Sequence, residues 1–307
     1  MIRHITRMGF VLVTTLVPVL AAVSAPKEPE IPAPAGAACT FKHTDKSLTM
    51  LRGDKLIWRF NFDKTEGKPY FHPLCTTDGT LLTALRPKDH PWHRALWFSW
   101  KYINGLNYWE ENRQGLSQGR TEITTVRIQA TSGKPVKIAM TLSYHPPGKD
   151  EVMSEKCTID VWPPNAAGVY KIDWASTFTA GQKDVVLDRT PIKGEKGGKG
   201  WGGYAGLSLR LAPALKAWPA VDSEGRKDMT IHGQQAKWMG FGDKGGRGGV
   251  FIEARESTLG LPKWYIAKGM PYFSPAVLFA KPVTVKAGKS IKLAYTITIH
   301  PAKKGGR

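Results

Sequence analysis

The chain has 307 residues, including 32 glycines and 22 prolines, and carries a formal charge of +19. That excess favours anionic partners, but Lys and Arg are spread along the chain and form no arginine-rich arm or recognition helix, which excludes nucleic acid as the natural partner. An acidic polysaccharide or an anionic cell surface suits the charge better, and a solvated, non-adhesive face accounts for it equally simply.

Residues 1–24 read as a secretory signal peptide: Arg3 and Arg7 precede an apolar run from Gly9 to Val23, and small residues follow at Ala22 and Ser24. Its removal leaves +17 and implies a periplasmic or secreted protein. No later window is apolar over the roughly 18 residues that a spanning helix needs, so no integral membrane association is expected after cleavage. Pro26, Pro29, Pro32 and Pro34 make residues 25–38 an extended tether. The folded body runs over 39–302 as a single β-sandwich domain, and 303–307 form a basic tail. Cys39, Cys75 and Cys157 match no zinc or redox spacing. In an oxidising compartment one disulfide and one leftover thiol are expected, with the pairing open.

Alternating apolar and polar residues over 47–51, 55–62, 123–130, 136–144 and 170–178 mark strands with one buried face. Residues 281–300 read as two strands around the turn Ala287-Gly288-Lys289. No amphipathic helix of three turns appears. The pattern predicts an all-β fold, a large twisted antiparallel β-sandwich, and opposes alternating βαβ units.

Site chemistry concentrates between Lys68 and Glu111, where His72, Asp89, His90, His93 and Arg94 lie among tryptophans. Pro87 and Pro91 make 89–94 an extended loop that leads into the strand-like run 95–100. His72, His90 and His93 are candidate acids, bases or ligands of a divalent metal, with Asp89 to orient a histidine and Glu110 or Glu111 as the opposing carboxylate. Hydrogen bonding of these histidines to backbone in a loop-rich corner is the plain alternative. Trp97 and Phe98 must point to opposite faces, with Trp100 on the face of Phe98, so some of these rings face a pocket or a second layer. Trp97, Trp100 and Trp109 are read as stacking walls, Asn107 as a hydroxyl-recognising amide, and Arg94 and Arg210 as cations for an anionic group. Tyr204, Ser208 and Arg210 share one strand face. Trp264, Tyr265 and Tyr272 are further wall candidates, with core packing the favoured reading for two of the three. The glycine-rich 193–203 is a loop, either a plain connection or a flap. No cofactor other than a possible divalent metal is expected, and the partner is a carbohydrate.

In the blocks PYFHPL, DHPWHRALWFSW, NGLNYWEE, GGYAGLSLR and PYFSPAVLF the chain resembles a domain-of-unknown-function family of exported bacterial proteins, many labelled methane oxygenase PmoA. Trp92 departs from the histidine expected in many relatives. The membrane subunit of a particulate methane oxygenase needs several spanning helices, so the label conflicts with this chain. The resemblance implies a sandwich similar to the galactose-mutarotase type and a place in carbohydrate catabolism, with an epimerase, lyase or hydrolase type of acid–base reaction. A non-catalytic sugar- or polyanion-binding module and a metal-dependent hydrolase or oxidase are the rivals.

Overall fold

The computed structural model describes residues 39–242 and 248–301. The expected signal peptide, tether and basic tail lie outside them. Two eight-stranded antiparallel sheets dominate. The first runs, in spatial order, Cys39–His43, Ser47–Arg52, Lys55–Asn61, Tyr70–Leu74, Leu96–Ser99, Gly206–Arg210, Tyr272–Ala276 and Lys263–Ala267. The second runs Ala220–Asp222, Trp238–Gly242, Gly249–Ser257, Ser290–His300, Tyr170–Ala180, Met153–Val161, Val136–His145 and Arg120–Gln129. A small third sheet joins Val283–Val285, Val185–Asp188, Tyr102–Ile103 and Leu106–Asn107. Among the described residues helix is confined to two short 3-10 turns.

The inner faces of the two large sheets pack on each other, which makes the fold an all-β sandwich. Phe98 stacks on Phe178 at 4.9 Å, Phe71 meets Trp174 at 6.3 Å, and Phe273 meets Phe241 at 5.4 Å. Period-two alternation then assigns the other residues of the first sheet to its outer face. Leu96 and Phe98 enter the inter-sheet core, whereas Trp97 joins a second cluster with Tyr70, Trp109, Tyr265 and Tyr272. The first sheet is therefore buried on both sides, and its outer layer becomes the floor of the site. One carboxyl, Glu155, sits in the core of the second sheet, where it accepts hydrogen bonds from Tyr144 at 2.5 Å and Ser176 at 2.6 Å. Burial pushes it up to about 7, against the lowering pull of those two hydroxyls.

Two expectations need correction. The strands around Ala287-Gly288-Lys289 do not pair with each other. Val283–Val285 pairs with Val185–Asp188 in the small sheet, while Ser290–His300 pairs with Tyr170–Ala180 and Gly249–Ser257. The turn is instead a corner between sheets, tied by Asp184, which accepts from Ala287 N at 3.0 Å and Lys286 Nζ at 2.8 Å. The three cysteines are all free thiols. Cys39 opens an edge strand of the first sheet and Cys157 is buried in the second, so the fold keeps them in different layers.

Candidate active site

Above the outer face of the first sheet lies a cavity of about 490 Å³, lined by His90, Trp92, His93, Trp109, Glu110, Trp201, Tyr204, Tyr265, Met270 and Tyr272. Three loops, the Lys263–Ala267 and Tyr272–Ala276 strands and the turn between those strands, which carries Met270, supply these side chains. The 89–94 loop brings both histidines and Trp92, the segment after Leu106–Asn107 brings Trp109 and Glu110, and the glycine-rich loop ends in Trp201, 54% exposed. Gly203 adopts φ +102°, and a Cβ there would lie 2.8 Å from the Phe279 ring, so only glycine lets this loop turn in and deliver Tyr204. A more open groove of about 710 Å³ runs past His43, Asp45 and Lys64 to residues 125–128, but among its lining groups Phe62 is the one large aromatic and no buried polar group converges there.

Glu110 is the anchored carboxylate of the cavity. One oxygen pairs with Lys101 and accepts from Asn107 Nδ2 at 2.6 Å, and the other accepts from Tyr204 OH at 3.0 Å. Burial opposes its charge, but Lys101 and the hydrogen bonds outweigh burial and hold the carboxyl below its ordinary range. Asn107 fixes the backbone as well, its Oδ1 accepting from Trp109 N and Glu110 N at 2.8 and 3.2 Å. Tyr204 is driven well above the usual phenol value by burial and then by Glu110, so it stays a proton donor.

His93 is 3% exposed and lies stacked between His90 at 4.6 Å and Tyr272 at 5.2 Å. Burial, with His90 and Arg210 adding positive charge, pushes it down to about 2 against a weaker pull from Asp89. His93 is thus neutral at any physiological pH. His90 is more exposed and its Nδ1 lies 3.1 Å from Asp89 Oδ2, an ion-pair distance without the alignment of a hydrogen bond. Asp89 in turn accepts from Arg210 Nη2 at 2.7 Å. It is held at about 2: burial raises it, and Arg210 and His90 more than reverse that.

The structure relocates several residues that the sequence assigns to the site. Trp100 is fully buried between Phe98 and Phe178 in the inter-sheet core and reaches no cavity wall. Trp97 is also buried and supports the floor from beneath, 5.2 Å from His93 and 5.4 Å from Trp109. Glu111 points away from Glu110 into a buried ion cluster, meeting Lys68 at 3.1 Å, Arg94 at 2.9 Å and Arg86 at 3.2 Å. Arg94 is taken up by Glu111 and Glu66, whereas Arg210 meets Asp89 through Nη2 alone, keeps its buried Nε and Nη1 without a partner and lies outside the cavity lining. His72 hydrogen-bonds Thr83 at 2.9 Å outside the cavity. The three-histidine metal set does not converge, and among the described residues no three His, Cys, Asp or Glu side chains are grouped to hold an ion.

Sequence reasoning missed Trp92, Lys101, Trp201 and Met270 as parts of the site. Lys101 carried a legible signal, since alternation after Trp100 places it on the pocket side beside Glu110. Trp201 carried none beyond its place in a glycine-rich loop.

A two-layer antiparallel sandwich with an aromatic-walled cavity on one sheet defines the class. The chain belongs to the family described as Family of unknown function (DUF6807), whose model matches residues 47–305. That description names no activity, and among the described residues no helix is long and apolar enough to cross a membrane. No curated protein matches the chain in sequence. Among solved structures it is similar to an α-galactosidase from Lactobacillus brevis, with 10% identity and a TM-score of 0.42 over 86% of this chain. The chain spans 39% of that protein's length.

Proposed function

We propose that the protein is an exported carbohydrate-active enzyme whose cavity binds a sugar and transfers a proton between Glu110 and a histidine. One observation supports this reading above the others: an ionised carboxylate and two imidazoles line the same cavity as six aromatic side chains. Aromatic faces accept the C–H faces of pyranose rings, and the carboxylate and phenols match hydroxyl groups. Glu110, ionised and oriented by Lys101 and Tyr204, serves as the base. His90, beside Asp89 and on the cavity wall, is the histidine placed to exchange a proton with substrate, since His93 is too deeply buried to become charged. Such a pair serves epimerase, lyase or hydrolase types of chemistry.

Non-catalytic sugar binding is the rival, favoured by the full set of partners on Glu110, which resembles a structural latch. Proton NMR time courses on a panel of neutral mono- and oligosaccharides, with Glu110→Gln and His90→Ala, separate the two. Turnover by the native protein that either variant abolishes while calorimetric sugar affinity stays within a few-fold supports catalysis. Binding without turnover gives the rival, and absence of both binding and turnover overturns the proposal.

A further inference from the structure

The outer face of the second sheet carries a second aromatic track that the cavity does not use. Strand register aligns its side chains in two adjacent rows. Trp238 stands opposite Glu253, which stands opposite Thr296, which stands opposite Asp173. In the next row Gly240, Phe251, Thr298 and Lys171 follow one another, and Trp162 continues the row through its backbone bond to Lys171 at 2.9 Å. Two hollows of about 350 and 300 Å³ occupy this face and adjoin at Thr296, which lines both, and together they mark out the groove. It crosses five strands, about 19 Å at the usual interstrand spacing.

The groove is built, with its rings held in place. Trp162 is 44% exposed, yet its indole N–H is fixed to Asp173 Oδ2 at 2.7 Å, and the other Asp173 oxygen accepts from Thr296 at 2.5 Å. Phe251 lies over Gly240, where a Cβ would come within 2.4 Å of its ring, and Trp238 and His300 flank it at 5.9 and 5.6 Å. Of the exposed large apolar side chains among the described residues, two are tryptophans: Trp201 at the cavity and Trp162 here. Along the track Glu253 pairs with Lys237 at 3.2 Å and Asp160 with Lys137 at 3.0 Å, and the carboxylate of Asp173 shares its hollow with Lys171 and Arg255, so the two signs are interspersed and form no one-sign stripe for a polyanion despite the basic chain.

We infer that this groove binds an extended, neutral polysaccharide strand, with Trp162 and Trp238 as stacking platforms at its two ends and Thr298, Asp173 and Arg255 as hydroxyl partners. Alternating rings and hydrogen-bonding groups along a line match a chain of pyranoses, whose flat C–H faces and equatorial hydroxyls repeat along its length. The site is independent of the chemistry in the cavity and lies on the other sheet.

The test is affinity electrophoresis of the native mature protein in gels containing galactomannan, xyloglucan, mixed-linkage β-glucan or dextran, with polygalacturonate as the anionic control. At least one neutral polymer should retard the native protein, and Trp162→Ala should weaken that retardation about tenfold, as loss of a central aromatic contact does. Trp162→Phe should restore part of it, and Met229→Ala, at an exposed side chain outside both the groove and the cavity, should leave it within about twofold. Retardation equal in native protein and Trp162→Ala, retardation by polygalacturonate alone, or retardation by no polymer overturns the inference. So does a Trp162→Ala variant whose main change is a smaller sedimentation coefficient, which would make this face a contact between copies.

Discussion

Replacing Glu155 by Gln should change how stability depends on pH while leaving the fold in place. The carboxyl has an ordinary value of 4.5 and is raised to about 7 in the native protein. Below pH 4.5 both native and unfolded chains hold the proton, and the group's contribution is fully present. Between 4.5 and 7 the unfolded chain releases the proton and the native chain keeps it, so stability falls as pH rises, by up to about 1.4 kcal/mol per unit. Above 7 the loss is complete, about 3 kcal/mol in all. The amide of the Glu155→Gln variant has no proton to release and can still accept from Tyr144 while donating to Ser176. Urea melts of both proteins from pH 4 to 8 give a difference curve in which titrations shared by the two cancel. Native minus variant stability should drop by about 3 kcal/mol over that range, or roughly 5–10 °C in the melting temperature. Parallel curves from pH 4.5 to 7 would refute the reasoning, since they would mean Glu155 is not held protonated by its burial.

Trp100→Ala should cost about 3–5 kcal/mol in chemical denaturation, as a deeply buried ring removed from the core, whereas Trp201→Ala should stay within about 0.5 kcal/mol while weakening sugar binding in calorimetry. A large stability loss from Trp201→Ala would place that ring in the packing. Glu111→Ala should destabilise by about 3–5 kcal/mol because it strands Lys68 and Arg94 without their shared carboxylate, and a neutral effect in urea melts would show that water already reaches them. Thiol titration in denaturant without reductant should give three groups per chain and, in the native protein, slow labelling of Cys75, whose thiol burial pushes up to about 11. Fewer than three groups would reveal a disulfide.

The alternating strands were legible because one buried face writes a period of two into the sequence. Parity was the most informative signal within the site. It separated Trp97 from Phe98, and followed one step further it would have sent Trp100 to the core and Lys101 to the cavity. Glu110 and Glu111 obey the same rule, neighbours in sequence whose side chains point into different environments. What stayed illegible depended on long-range pairing. Whether Arg94 and Arg210 meet a ligand or a carboxylate is decided by Glu66, Glu111 and Asp89, distant in sequence from one or the other guanidinium. The 281–300 segment shows the same limit, since a tight turn fixes its own geometry but not the partner of each flanking strand.

The Leu96–Ser99 strand has no free side: Phe98 holds the two sheets together while Trp97, one residue away, underlies the cavity. A ligand pressing on Trp109 and His93 therefore leans on the same backbone that anchors the sandwich. Occupancy should slow amide hydrogen exchange not only at the rim but across the Tyr70–Leu74, Leu96–Ser99 and Gly206–Arg210 ladder. By the same coupling, a substitution that reshapes this floor for a new ligand also perturbs the core on its reverse, so specificity changes more freely in the loop that carries Trp201 than in the strand that carries Trp97.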